Sequence, residues 1–268
     1  MPQRSAEDMV SYALEMDPAL LPYASELLAD LDALGSDVSS ILGAIAELGL
    51  GAATVVDLGS GKGAVAIALA GDMGLTVHGI ELFEPFVEVA RQAAAKAGVS
   101  DRCRFSHGDI AAMASTTAPV DVAVYAALGD VLGPVDVTVG IIRRYVRPGG
   151  YLVINDSCLR DGVTESFPGF EHCGTLEQTR TLLQAHGDEL VAELLEAEDD
   201  GDDEDHAGGG DAAGIDEAAV IRARAEALAQ RHPELGAQLR AFAASQLAEY
   251  EYLERHTTGV VWVLRRRT

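Results

Sequence analysis

One stretch constrains this chain more than any other. The apolar run Val55-Val56-Asp57-Leu58 ends in the turn Gly59-Ser60-Gly61-Lys62-Gly63, and Ala64 then opens a helix-forming segment. Glycines at 59, 61 and 63 let the backbone take conformations closed to other residues and let a ligand approach without meeting a Cβ atom. The helix behind them offers unpaired N–H groups at its start. A strand, a tight glycine turn and a helix in that order form a cradle for a nucleotide-like ligand, with an acid, Asp57, beside it.

The flanking sequence repeats the same rhythm. Strands are expected at 54–58, 76–80, 102–106, 120–125 and 151–155, with helices at 64–70, 85–97 and 135–146 between them. A short helix after residue 110 fits the same spacing. Such alternation predicts an α/β fold with a mainly parallel sheet covered by helices on both faces. Before it, Leu20, Tyr23, Leu27, Leu28, Leu31 and Leu34 keep helical spacing. So do Val38, Ile41, Leu42, Ile45 and Leu48, which gives two N-terminal helices, the second opened by Ser36 or Asp37. After Asp156 come a polar loop, a helix at 176–185 and a strand at 189–195. Residues 198–214 are rich in Asp and Gly and read as a solvated acidic loop. Helices at 216–231 and 233–255 follow, and the Val and Trp of 259–264 suit a last strand. The expected organisation is an N-terminal helical cover at 1–50, a core domain at 51–197 and 257–268, and an acidic and helical insertion at 198–256.

Composition removes several classes of function. The chain has 268 residues, is 48% hydrophobic and carries a formal charge of −24, which opposes sequence-independent binding to nucleic acid. Part of the acidity is local: fourteen Asp and Glu fall between residues 188 and 217, and no Lys or Arg lies between Arg180 and Arg222. No apolar run has the ~18 to 20 residues a membrane span needs, and the first residues lack a signal-type apolar region, so a cytoplasmic location is expected. Cys103, Cys158 and Cys173 have neither disulfide-framework nor zinc-site spacing, so reduced thiols and no metal site are expected. The acidic run 199–205 lacks the glycine and glutamate positions of a calcium-binding loop.

Three nucleotide readings compete for the glycine turn. A phosphate-binding loop fails because Gly61-Lys62 is followed by Gly63 rather than Ser or Thr. A dinucleotide fingerprint is met formally by Gly59-x-Gly61-x-x-Ala64, with Glu81 about 20 residues on. The third reading follows from the acid two residues before the first glycine together with the third glycine. Asp57-x-Gly59-x-Gly61-x-Gly63 resembles the first motif of class I S-adenosylmethionine-dependent methyltransferases, whose cofactor carries an ammonium and a sulfonium but no pyrophosphate. A carboxylate suits a cation and repels a pyrophosphate.

Later segments resemble the same family in order and spacing. Val77-His78-Gly79-Ile80-Glu81 resembles its second strand, which ends in an acid that takes both ribose hydroxyls. Gly108-Asp109-Ile110 resembles the turn that reads adenine. Asp121 to Ala127 resembles the fourth strand, and Arg147-Pro148-Gly149-Gly150-Tyr151 resembles the turn into the fifth. The resemblance covers residues 50–160. It implies a Rossmann-like seven-stranded sheet whose last strand is antiparallel. It also implies S-adenosyl-L-methionine as cofactor, S-adenosyl-L-homocysteine as product, and cofactor contacts from Asp57, Gly59, Ser60, Gly61, Gly63, Glu81, Leu82, Gly108, Asp109, Ile110 and Tyr125. Each residue has a plainer alternative: Asp57 as a helix cap, Glu81 as a surface acid, Asp109 as a turn former.

The reaction implied is in-line displacement, for which positioning does most of the work. Candidates near the transferred methyl are Tyr125 and Asp130 after the fourth strand and Asp156 after the fifth, as catalytic or merely positioning groups. The Asn/Asp-Pro-Pro-Tyr/Phe sequence of nucleic-acid amino methyltransferases is absent, Tyr125-Ala126-Ala127-Leu128 standing in its place. A small-molecule acceptor is therefore expected. The alternatives are an NAD(P)-dependent oxidoreductase and a non-catalytic cofactor-binding protein on the same fold. Lys62 reads as a solvated loop lysine, and His107 as a hydrogen-bonded structural histidine.

Overall fold

The computed structural model describes residues 5–164, 167–196 and 216–268. Seven strands form one sheet: β1 (Thr54–Leu58), β2 (Thr76–Glu81), β3 (Cys103–His107), β4 (Val120–Ala126), β5 (Val146–Leu159), β6 (Glu189–Leu195) and β7 (Thr257–Arg265). Their order is β3-β2-β1-β4-β5-β7-β6, with β1 to β5 parallel and β7 antiparallel to both its neighbours. The expected Rossmann-like sheet and its antiparallel last strand are both present. Strand order reverses between β1 and β4, so the connections after these strands diverge and leave a cleft at their carboxyl ends.

Alternation along the strands divides the interior. Val55, Val122, Val124 and Val153 face one side, where α3 (Val38–Glu47), α4 (Ala64–Asp72) and α5 (Glu84–Lys96) pack. Val56, Leu58, Tyr125, Ile154 and Trp262 face the other, against α7 (Val135–Ile142) and α8 (Leu176–Leu183). Helix starts follow their sequence signals. Asp37 caps α3 by accepting from the Ser40 N–H, Pro85 sits in the first turn of α5, and Thr175 with Gln178 forms a capping box on α8. A four-residue helix, α6 (Ile110–Met113), occupies the expected position after residue 110. The three cysteines are free thiols.

A third core lies outside the sheet. It joins the N-terminal segment, through Val10, Leu20 and Leu27, to α9 (Glu217–Arg231) and α10 (Gly236–His256), through Ile221, Leu228, Leu239 and Phe242. Here the structure differs from the sequence expectation in one respect. Residues 20–34 are not one helix but a 3-10 turn, Pro18–Tyr23, and the single turn α2 (Ala24–Leu27), preceded by α1 (Ala6–Ala13). Pro22 has no N–H to give, and Asp30 and Leu34 take left-handed backbone angles of φ +58° and +49°, which interrupt a helix. The apolar spacing was real, but the chain buries those residues by folding back. α3 packs on the sheet through Ile41, Ala44 and Ile45. The acidic loop expected at 198–214 lies outside the described residues. No helix among the described residues is long and apolar enough to cross a membrane.

Candidate active site

The cleft at the reversal point opens into a cavity of about 1950 Å³. Its floor is the glycine turn. Gly59 and Ser60 both donate their N–H groups to the Ile80 carbonyl, at 2.8 and 3.1 Å, which ties the turn to the end of β2. Gly59, Gly61 and Gly63 have φ of +72°, +51° and +88°. A side chain at 59 would put its Cβ 2.3 Å from Leu128 Cδ1, and one at 63 would put it 2.7 Å from the Phe105 ring, so these positions need glycine for both conformation and space.

Two acids meet this turn from adjacent strands. Glu81, at the end of β2, accepts the Gly61 N–H on one oxygen at 2.9 Å and the Phe83 N–H on the other at 2.7 Å. Both bonds hold the carboxylate in place and leave each oxygen a further lone pair. Burial nonetheless raises its pKa. Asp57 is 3% exposed, and its Oδ2 has no hydrogen-bond partner. Burial and then the nearby Glu81 push its pKa up to about 7. Ser60, between them, also has a buried hydroxyl without a partner. Asp109 accepts the N–H groups of Ala111 and Ala112 on Oδ1, as the N-cap of α6, while its side chain borders the cavity. Leu82 and Ile110 line the same wall.

Three expected residues lie off the wall. Gly63 sits behind the turn as the N-cap of α4. Gly108 donates its N–H to the Glu81 carbonyl and is backed by Met113, so it fixes the spacing of the two strand ends. Tyr125 points to the opposite face of the sheet, where it is buried in the second core and its hydroxyl donates to the Gly129 carbonyl at 3.2 Å. Burial raises its pKa above that of a free phenol. The strand's alternation, which turns Tyr125 away as it turns Ala126 inward, corrects the expectation that it contacts cofactor or substrate. Its bond to Gly129 instead shapes the loop after β4. In that loop Ala127 takes φ +52°, and Leu128 lies over Gly59.

The other two candidates do line the cavity. Asp130 accepts from the Tyr12 hydroxyl and lies 3.8 Å from His172 Nδ1. Asp156 accepts the Ser157 N–H at 2.7 Å, and burial raises its pKa. Around them stand residues that no motif marks. Glu15 follows α1, His172 and Phe170 come from the loop before α8, and Glu249 comes from α10. Phe170 stacks on His172 with ring centroids 5.8 Å apart. Glu15 and Glu249 meet carboxyl to carboxyl. Burial first, and Glu15 second, push Glu249 up to about 8, and burial raises Glu15 as well.

Lys62 is placed contrary to expectation. It is 4% exposed and turned away from the cleft, its ammonium donating to the carbonyls of Leu28 and Leu31 above the Phe86 ring. His107 bonds the Leu82 carbonyl, as a structural histidine would.

Comparison with known proteins agrees with this geometry. A family model described as a methyltransferase domain matches residues 51–202, more than half of the chain. The uncharacterized protein YjhP of Escherichia coli is 30% identical over 102 residues, a stretch that covers 38% of this chain and 41% of that protein. Among solved structures, a SAM-dependent methyltransferase from Thiobacillus denitrificans in complex with S-adenosyl-L-homocysteine aligns with a TM-score of 0.73 at 23% identity, over 91% of this chain and 98% of that one. The [4+2]-cyclase SpnF aligns with a TM-score of 0.71 at 20% identity, over 98% and 96% of the two chains. These structural likenesses establish the fold, and the family model places the chain by sequence: it belongs to the methyltransferase domain family.

Proposed function

We propose that the protein transfers a methyl group from S-adenosylmethionine to a small-molecule acceptor. The observation that carries this reading is the pair of carboxyl groups at the ends of β1 and β2. Glu81 is fixed by two backbone N–H groups with lone pairs to spare, and Asp57 is buried with one oxygen unpartnered. A buried carboxyl oxygen without a partner is costly, and a cationic ligand relieves that cost. The donor set fits this cofactor: Glu81 suits the ribose hydroxyls, Asp57 and Ser60 the methionyl ammonium end, and Asp109, Leu82 and Ile110 the adenine. A pyrophosphate would meet Asp57 instead, and among the described residues no lysine or arginine lines the cavity to offset it.

When bound, this cofactor supplies a methyl group on a sulfonium, already activated for displacement. The protein then has to position the acceptor, exclude water and accept a proton where the nucleophile carries one. Asp130, Asp156 and His172 stand on the cavity wall in reach of such a role, Asp156 and Asp130 both facing the imidazole. Titration calorimetry of S-adenosylhomocysteine against NAD(H) tests the reading. Binding of the sulfur ligand alone is expected, and binding of NAD(H) with no response to S-adenosylhomocysteine would refute it.

A further inference from the structure

The part of the cavity away from the glycine turn is walled by carboxyl groups from four separate parts of the chain: Glu15, Asp130, Asp156 and Glu249. Among the described residues lining the cavity, His172 is the sole basic side chain. Its Nδ1, buried beside Asp130, has no hydrogen-bond partner. Gathered acids in a low-dielectric wall repel one another, and Glu15 is, after burial, the second cause of the raised pKa of Glu249. On the opposite wall Asp57 and Ser60, both more than nine-tenths buried, also keep unpartnered polar atoms. Such a cavity is built for ligands that bring positive charge. Leu14, Met16, Phe170 and Leu253 supply apolar surface between the acids.

We propose that the methyl acceptor is an amine, entering as an ammonium on an apolar or aromatic frame and bearing no carboxylate or phosphate of its own; this rests on the methyltransferase reading above. An anionic group would face carboxyls with no arginine or lysine to receive it, whereas an ammonium supplies the charge the wall lacks. To react, the ammonium gives one proton to the Asp130–His172 pair on the wall, exposing the nitrogen lone pair. That pair forms the N–C bond as the C–S bond breaks and its electrons stay on sulfur, so the product is again a cation and the sulfur a neutral thioether.

Protein saturated with S-adenosylhomocysteine is titrated in a calorimeter with four probes of one shape: 2-phenylethylammonium, 2-phenylethanol, 3-phenylpropionate and 2-phenylethyl phosphate. The ammonium is expected to bind at least about tenfold tighter than either anion. Glu249→Gln with Asp156→Asn should bring that ratio below about threefold while S-adenosylhomocysteine binding persists, the latter showing that the variant is folded. Each single substitution, tested alongside, should lower the ratio part of the way. Anions that bind as well as the ammonium, probes that do not differ, or a ratio unchanged in all the variants overturns the amine proposal. Failure of S-adenosylhomocysteine to bind overturns the methyltransferase reading and the amine proposal with it, and is seen in the first titration, before any probe is added.

Discussion

Asp57 sets the pH behaviour of the site because it is buried with one oxygen unbonded. Its pKa rises from 3.8 in the open chain to about 7 in the fold, so the folded state holds a proton that the unfolded state has released throughout that interval. The contribution to stability is therefore complete below about pH 4 and is lost as pH rises through about 7, to the extent of a few kcal/mol. Urea unfolding of wild type and Asp57→Asn should show it. The variant gains relative to wild type between about pH 4 and 7, and parallel curves would contradict the assignment. Ligand binding runs the other way. An ammonium favours the ionised acid, so S-adenosylhomocysteine should bind more tightly above pH 7 and release a proton on binding below it, which calorimetry in buffers of different ionisation enthalpy detects. Glu81 is tested by deletion. Glu81→Ala removes an acceptor from the Gly61 and Phe83 N–H groups as well as from the ligand, and should weaken cofactor binding by about 1 to 3 kcal/mol.

Between elements, the most informative contact is the one that joins the glycine turn to the N-terminal cover. Lys62 leaves the turn backwards, and its ammonium satisfies the Leu28 and Leu31 carbonyls where the chain runs between α2 and α3. Lys62→Met keeps the stem and removes the donor. It should cost about 1 to 3 kcal/mol in urea unfolding by leaving buried carbonyls unpaired, and loosen the cover above the cleft. A change within error of zero would mean that water replaces the ammonium there. Sequence could not have foretold this role, because a lysine's destination depends on which distant carbonyls the fold leaves open. The turn itself was legible, along with Glu81 and the strand ends, because strand, glycines and helix are neighbours in the chain and their chemistry follows from local geometry. Tyr125 was legible as a strand-end residue but not as inward or outward, since a shift of one position reverses the face. Tyr12, Glu15, His172 and Glu249 carried no signal at all. They come from separate segments and meet only through packing, and no spacing records that meeting.

At the scale of the whole molecule, the cleft lies between two hydrophobic bodies of different construction. The sheet and its helices hold Asp57, Glu81 and the glycine turn, whereas the third core, from the N-terminal segment with α9 and α10, supplies the roof. Leu28, Leu31 and Ile221 belong to that core and also line the cavity, so roof stability and ligand binding share side chains. Leu228, on α9 and fully buried in that core, reports on the roof without touching the cavity. Leu228→Ala should cost about 2 to 5 kcal/mol. Hydrogen exchange then decides how that cost is distributed. If the roof opens as its own unit, amides in 5–35 and 217–256 lose protection while β1, β2 and β4 keep theirs, and S-adenosylhomocysteine restores part of the protection because its binding requires the closed cleft. Equal loss over roof and sheet would mean that the three cores unfold as one, and that access to the cleft does not depend on the roof opening by itself.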